Sequence, residues 1–134
     1  MESKHLTDTE EYALRISIHG SRKTIDVGKG VLGVLGNPHN VGIKVNNDMT
    51  SILIFATQST DPMSFPVPVK SRINSGGRIF RIISKQFVRQ LTAKNGFDDN
   101  KNYTVYGRFV KDKDVVVFHM AEAFENCRNE NVRH

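Results

Sequence analysis

Short segments in which apolar and polar residues alternate constrain the fold of this chain more than any other feature. In the first of them, Leu14, Ile16 and Ile18 alternate with polar residues until the chain reaches Gly20 and Ser21. Strict alternation of this kind is typical of a β-strand that buries one face, and glycine beside serine is typical of a turn. Several such segments follow, so the sequence predicts a β-rich chain.

Helical spacing occurs in short stretches between the predicted strands. Val31, Leu32 and Leu35 lie on one face of a helix of about two turns. A longer helix is predicted over 85–94, with Ser84 as its N-cap. The sequence therefore predicts a mainly β fold with short helices, a β-rich α+β class. Another small α+β fold is the alternative.

The order strand, turn, strand, short helix and hairpin occurs twice along the chain, which indicates two halves with the same pattern. The spacing between matching segments is about 55–63 residues. The predicted division is an acidic, loosely ordered N-terminus at 1–14, a first half at 15–57, a proline-containing linker at 58–69, a second half at 70–119, and a short helix with a tail at 120–134.

Positive charge is concentrated in the middle of the chain. The net charge of the whole chain is +5, but 15–119 holds 16 Lys or Arg against seven Asp and contains no Glu. Within it, 62–97 has seven Lys or Arg and no acid. A basic surface without interleaved carboxylates attracts polyanions such as nucleic acid. The competing interpretation is a solvated basic face that only aids solubility.

Three motifs of the second half suggest a family. They are Gly-Arg-Ile-Phe at 77–80, Phe-Val-Arg-Gln-Leu at 87–91, and an acidic turn followed by an apolar strand at 111–117. In the first half, Leu35 and Gly36 form a Leu-Gly helix end. With these motifs both halves resemble the AbrB-type swapped-hairpin DNA-binding module.

The resemblance implies a particular fold and site. In this family two chains interlock their hairpins into one small barrel, so two halves in one chain are expected to form that barrel together. Basic residues at the starts of strands and helices are then expected on one face. Matched position by position and extended to neighbouring basic residues, the predicted nucleic-acid-binding set is Arg15, Arg22, Lys23, Lys70, Arg72, Arg78, Arg81, Lys85 and Arg89.

The sequence gives little support to catalysis or metal binding. Its five histidines have no i, i+4 pairing, and Cys127 has no Cys or His close to it in sequence. Gly28-Lys29-Gly30 lacks the remainder of a phosphate-binding loop. We therefore expect no catalytic residues, no metal and no cofactor, and we expect the protein not to be an enzyme.

The combined expectation is a DNA-binding protein, a transcriptional regulator that contacts phosphates through a basic face. One alternative is a protein-binding module, such as an antitoxin or a small inhibitor from a mobile element, that docks on an acidic or nucleic-acid-handling enzyme. Another is a single-strand or RNA binder that stacks bases on Tyr103, Tyr106 and Phe109. The expected state is a monomer or a homodimer.

The expected location is the cytoplasm, without a membrane partner. A single cysteine allows no internal disulfide. The first residues have no signal-peptide pattern, and no apolar run approaches the length of a membrane span.

Overall fold

Strands dominate the part of the chain that the structure, a computed structural model, describes: residues 14–58, 60, 64–68 and 80–126. The strands are β1 Arg15–His19, β2 Thr24–Val27, β3 Asn40–Val45, β4 Ser51–Thr57, β5 Ser64–Pro66, β6 Phe80–Ile83, β7 Asn102–Val110, β8 Val115–His119 and β9 Phe124–Glu125. The helices are α1 Lys29–Val34 and α2 Lys85–Asn95, and a 3-10 helix spans Met120–Glu122. The predicted β-rich class with short helices is confirmed.

The strands form one antiparallel sheet that curls into a nearly closed barrel. Their order is β5-β3-β4-β8-β7-β1-β2-β6, and β9 pairs with β7. Strands from distant parts of the chain are neighbours: β1 lies beside β7, β2 beside β6, and β4 beside β8. The β3–β4 and β7–β8 hairpins therefore join side by side through β4 and β8.

The core fills the inside of this sheet. Ile16 and Ile18 of β1 and Phe118 of β8 are fully buried, as are Leu32 of α1 and Leu91 of α2. Inward residues alternate with exposed ones along β1 and β6, as the sequence pattern predicts. Burial of each such side chain contributes about 1.5–3 kcal/mol to the free energy of unfolding, so packing of the two helices against the sheet stabilises the barrel.

The ends of the helices follow their sequence signals closely. Gly96 ends α2 with φ +69°, a left-handed conformation that glycine adopts without a Cβ penalty. Ser84 precedes α2 with extended backbone, as predicted, but its side chain forms no capping hydrogen bond. None of the described helices is long and apolar enough to cross a membrane.

Two short strands lie where the sequence predicts other structure. β5 falls inside the predicted linker, where it pairs with β3 through Phe65 and Val41. At the other end, the short helix predicted within 120–134 is replaced, in the described part of that segment, by the 3-10 helix and β9. β9 pairs with β7 through Phe124 and Thr104, and the free edge of β7 accounts for the extended conformation there.

Candidate nucleic-acid interface

Strands β2 and β6 determine where the predicted basic residues meet. Their antiparallel register places Thr24 opposite Ile83. The β1–β2 turn, which contains Arg22, therefore lies at the same end of the pair as the start of α2. Lys85 opens that helix and Arg89 follows four residues later on the same helical face. All three basic side chains are exposed.

The opposite end of the β2–β6 pair also carries basic residues. The Gly28 amide, one residue beyond β2, donates a hydrogen bond of 2.9 Å to the Arg15 carbonyl. Arg15 at the start of β1 is therefore close to Lys29 at the start of α1. Both residues are exposed. We call the surface around the β2–β6 pair, with Arg15, Arg22, Lys85 and Arg89, the basic face.

A partly buried ion-pair cluster of Asp26, Arg81 and His19 occupies the centre of this surface. Arg81 donates from Nε to Asp26 Oδ1 at 2.6 Å and from Nη2 to Oδ2 at 3.1 Å. His19 Nε2 lies 2.9 Å from Asp26 Oδ2. The Asp26 side chain is only 10% exposed, whereas that of Arg81 is 44% exposed. The guanidinium thus reaches from solvent to a carboxylate held within the sheet surface.

Arg81 and His19 keep the Asp26 carboxylate charged and supply its hydrogen bonds. Burial by itself raises the pKa of Asp26, but hydrogen bonds from Arg81 and His19 outweigh that effect, so the net pKa lies below its ordinary value. The same hydrogen bond raises the pKa of Arg81. Asp26 is the only acidic residue in 15–46 and 80–97. Because Asp26 is paired with Arg81, these segments contribute no unpaired carboxylate to the basic face.

Lys23 stabilises the β1–β2 turn. Its Nζ donates to the Gly20 carbonyl at 2.6 Å and to the Asp99 carbonyl at 3.3 Å. Its φ of +61° is left-handed, which is uncommon for a residue with a side chain. The nearby Asp98 and Asp99 are exposed, so they place negative charge at one border of the basic face.

The structure divides the predicted nucleic-acid-binding set into three groups. Lys70, Arg72 and Arg78 lie outside the described residues. Arg81 and Lys23 are held by protein oxygens, as above. The remaining four, which lie around the β2–β6 pair, are Arg15, Arg22, Lys85 and Arg89.

The aromatic residues considered for base stacking do not act as one group. Tyr103 stacks on Phe97 with a centroid separation of 4.4 Å, and its hydroxyl accepts a hydrogen bond from the Asp98 amide. Phe109 packs against the core. Tyr106 instead pairs with Phe124 at the surface. Sequence reasoning missed Phe124, because a two-residue strand is too short to show alternation.

A separate apolar groove of about 680 Å³ lies between α2 and the β3–β4 hairpin. Ile43, Met49, Phe65 and Phe87 line it, with Lys94 at the end of α2. Lys85 and Arg89 are not among its lining residues, so the groove and the basic face use different sides of α2.

Among the described residues there is no cluster of His, Cys, Asp or Glu that could hold a metal ion. No family model matches the chain, and no curated protein or solved structure is similar to it.

Proposed function

We propose that this protein binds double-stranded DNA through the basic face and acts as a transcriptional regulator. One observation carries the proposal. Arg22 and Lys85 lie at one end of the β2–β6 pair and Arg15 at the other, while the intervening Asp26 is compensated by Arg81 and His19. Residues 15–46 and 80–97 present cations around this surface and no unpaired carboxylate, which suits a polyanion, because each phosphate that the cations neutralise releases condensed counterions.

The strand order supports the proposal that two halves of the chain interlock and together form this surface. β1 of the first half lies beside β7 of the second half, and β5, which lies in the predicted linker before the second half, lies beside β3 of the first half. Exchanging β1–β4 with β5–β8 reproduces six of the seven neighbour pairs in this order; the exception is β1–β2, because β5 and β6 are not neighbours. This exchange is the arrangement that the resemblance to the AbrB-type module implies, with the basic residues near the starts of strands and helices.

Two charge-matched double variants test the proposed surface. We expect Lys85→Gln with Arg89→Gln to weaken binding to duplex DNA at about 0.1 M salt, by about 60-fold if both residues contact a phosphate and by about 8-fold if one does. Glutamine is a good helix former, so α2 should remain folded. Lys111→Gln with Lys113→Gln removes the same charge from the β7–β8 turn and is the control. Fluorescence anisotropy with labelled duplex measures both.

Equal loss of affinity in the two double variants would contradict the assignment, because net charge and not location would then determine binding. Absence of duplex binding by the unmodified protein, even at low salt, would reject the proposed function. That result would favour the alternative of a protein partner, for which the apolar groove beside α2 is the candidate docking surface.

A further inference from the structure

Two aromatic rings are exposed together at the edge of the sheet. Tyr106 of β7 is 38% exposed and Phe124 of β9 is 47% exposed. Their centroids are 5.8 Å apart and their planes differ by 30°. Burying an exposed aromatic ring is favourable, so a pair of rings open to water is a candidate contact for a ligand.

The backbone holds these rings in place. β9 pairs with β7, with Phe124 opposite Thr104. The Asn126 amide donates to the Asn102 carbonyl at 2.9 Å, and the Thr104 hydroxyl donates to Asn126 Oδ1 at 2.7 Å. The rings therefore project from a short, hydrogen-bonded strand pair. A ligand that stacks on them meets a surface that is already ordered.

Arginines flank the aromatic pair. Arg15 lies directly opposite Tyr106 in the β1–β7 register. Arg108 lies two residues beyond Tyr106 on β7, on the same side of the strand, and is exposed. No carboxylate of the described residues forms an ion pair with Arg108. Because Arg15 also belongs to the basic face, the aromatic pair adjoins that surface.

Aromatic faces beside positive charge are the combination that binds unpaired nucleotides, since bases stack on the rings and phosphates meet the cations. We propose that Tyr106 and Phe124 form a stacking site for an unpaired base of DNA bound on the basic face. The inference rests on the proposed function and extends it, because the DNA that the protein recognises then includes an unpaired base next to a duplex. A purely apolar partner would not need the flanking arginines.

The test compares two DNA probes. One is a duplex with a short single-stranded gap that contains 2-aminopurine, and the other is a fully paired duplex of the same length. We expect tighter binding to the gapped probe, with loss of 2-aminopurine emission as the base stacks. Phe124→Ala should weaken gapped-probe binding about 5-fold or more, while binding to the paired duplex changes less than about 2-fold.

Three variants serve as controls. Phe124→Tyr retains an aromatic face and should bind the gapped probe like the unmodified protein. Val45→Ala removes an exposed apolar side chain of β3, away from the aromatic pair and the basic face, and should change neither affinity. Tyr106→Leu keeps apolar bulk without a ring and should resemble Phe124→Ala. Thermal unfolding of each variant shows whether β9 remains folded.

The outcomes separate this inference from the proposed function. Salt-dependent binding to the paired duplex, with equal affinity for the gapped probe and unchanged 2-aminopurine emission, overturns the stacking site alone. A Phe124→Ala variant that binds the gapped probe normally also overturns it. If the unmodified protein binds neither probe, the proposed function and the stacking site are both rejected.

Discussion

Replacing Gly107 by alanine is expected to lower the free energy of unfolding by about 1–3 kcal/mol. Gly107 of β7 lies opposite Phe118 of β8, whose ring is fully buried. A Cβ at Gly107 would stand 2.5 Å from Cε2 of that ring and 2.8 Å from the Val117 carbonyl oxygen. The ring would have to leave its position over the strand, or the two strands would have to separate. Urea unfolding followed by circular dichroism measures the loss.

Gly33→Ala is the matched control for this substitution. Gly33 is exposed on α1, and a Cβ there would meet no atom within 4 Å. Alanine in a helix interior is favoured over glycine by about 0.5–1 kcal/mol, so the control should stabilise the protein. Effects of the same sign and size in the two variants would contradict the packing described for the β7–β8 hairpin.

The second large effect is expected at the centre of the basic face. Arg81→Leu leaves the Asp26 carboxylate in a site where it is only 10% exposed, with His19 as its remaining partner. Removing one member of such a pair is costly mainly because the other charge stays buried. We expect a loss of about 2–3 kcal/mol near pH 7, below the full range for buried pairs because Arg81 itself is partly solvated.

This loss should depend on pH in a definite direction. The pKa of Asp26 lies below its ordinary value, so its contribution to stability is present above a pH of about 4 and is lost as pH falls through the lower pKa of the folded state. In Arg81→Leu the hydrogen bond from Arg81 no longer offsets the effect of burial, which raises the pKa of Asp26. Protonation of Asp26 in the variant then removes the buried charge and reduces the loss of stability. The difference between the two proteins should therefore begin to shrink above a pH of about 4, where Asp26 of the variant takes up its proton, and should continue to shrink as the pH falls further.

Two comparisons check the interpretation of Arg81. Arg89→Leu makes the same chemical change on the exposed face of α2 and should cost less than about 0.5 kcal/mol. Combining Asp26→Leu with Arg81→Leu should be less destabilising than Arg81→Leu alone, because no buried charge remains. A double variant that loses the sum of the two single effects would show that the pair does not act as described.

Local features of the fold could be predicted from the sequence. β1 lies on the segment in which Ile16 and Ile18 alternate with polar residues, and α2 begins at Lys85, directly after Ser84, as predicted. Such features depend on neighbouring residues alone. The position of β1 beside β7 could not be predicted from periodicity, because alternation shows which face of a strand is buried and not which strand lies next to it.

The candidate site was predictable to a similar degree. The excess of basic residues is a local property of the sequence, but the partner of Arg81 is 55 residues away, and nothing in the spacing distinguishes Arg81 from Lys85. The sequence groups Tyr106 with Tyr103 and Phe109, whereas its neighbour in the fold is Phe124, which belongs to a two-residue strand. Long-range pairing therefore distinguishes Arg81, which is held by a carboxylate of another strand, from Lys85, which sequence spacing alone does not do.

The most direct test of the central claim is the salt dependence of DNA binding by the unmodified protein. Fluorescence anisotropy with random duplex DNA, single-stranded DNA and RNA, over about 50–200 mM salt, gives the affinities. We expect the protein to prefer duplex over fully single-stranded DNA and RNA, with an affinity that falls steeply as salt rises. No binding at the lowest salt, or an affinity for duplex that does not change with salt, would contradict the claim.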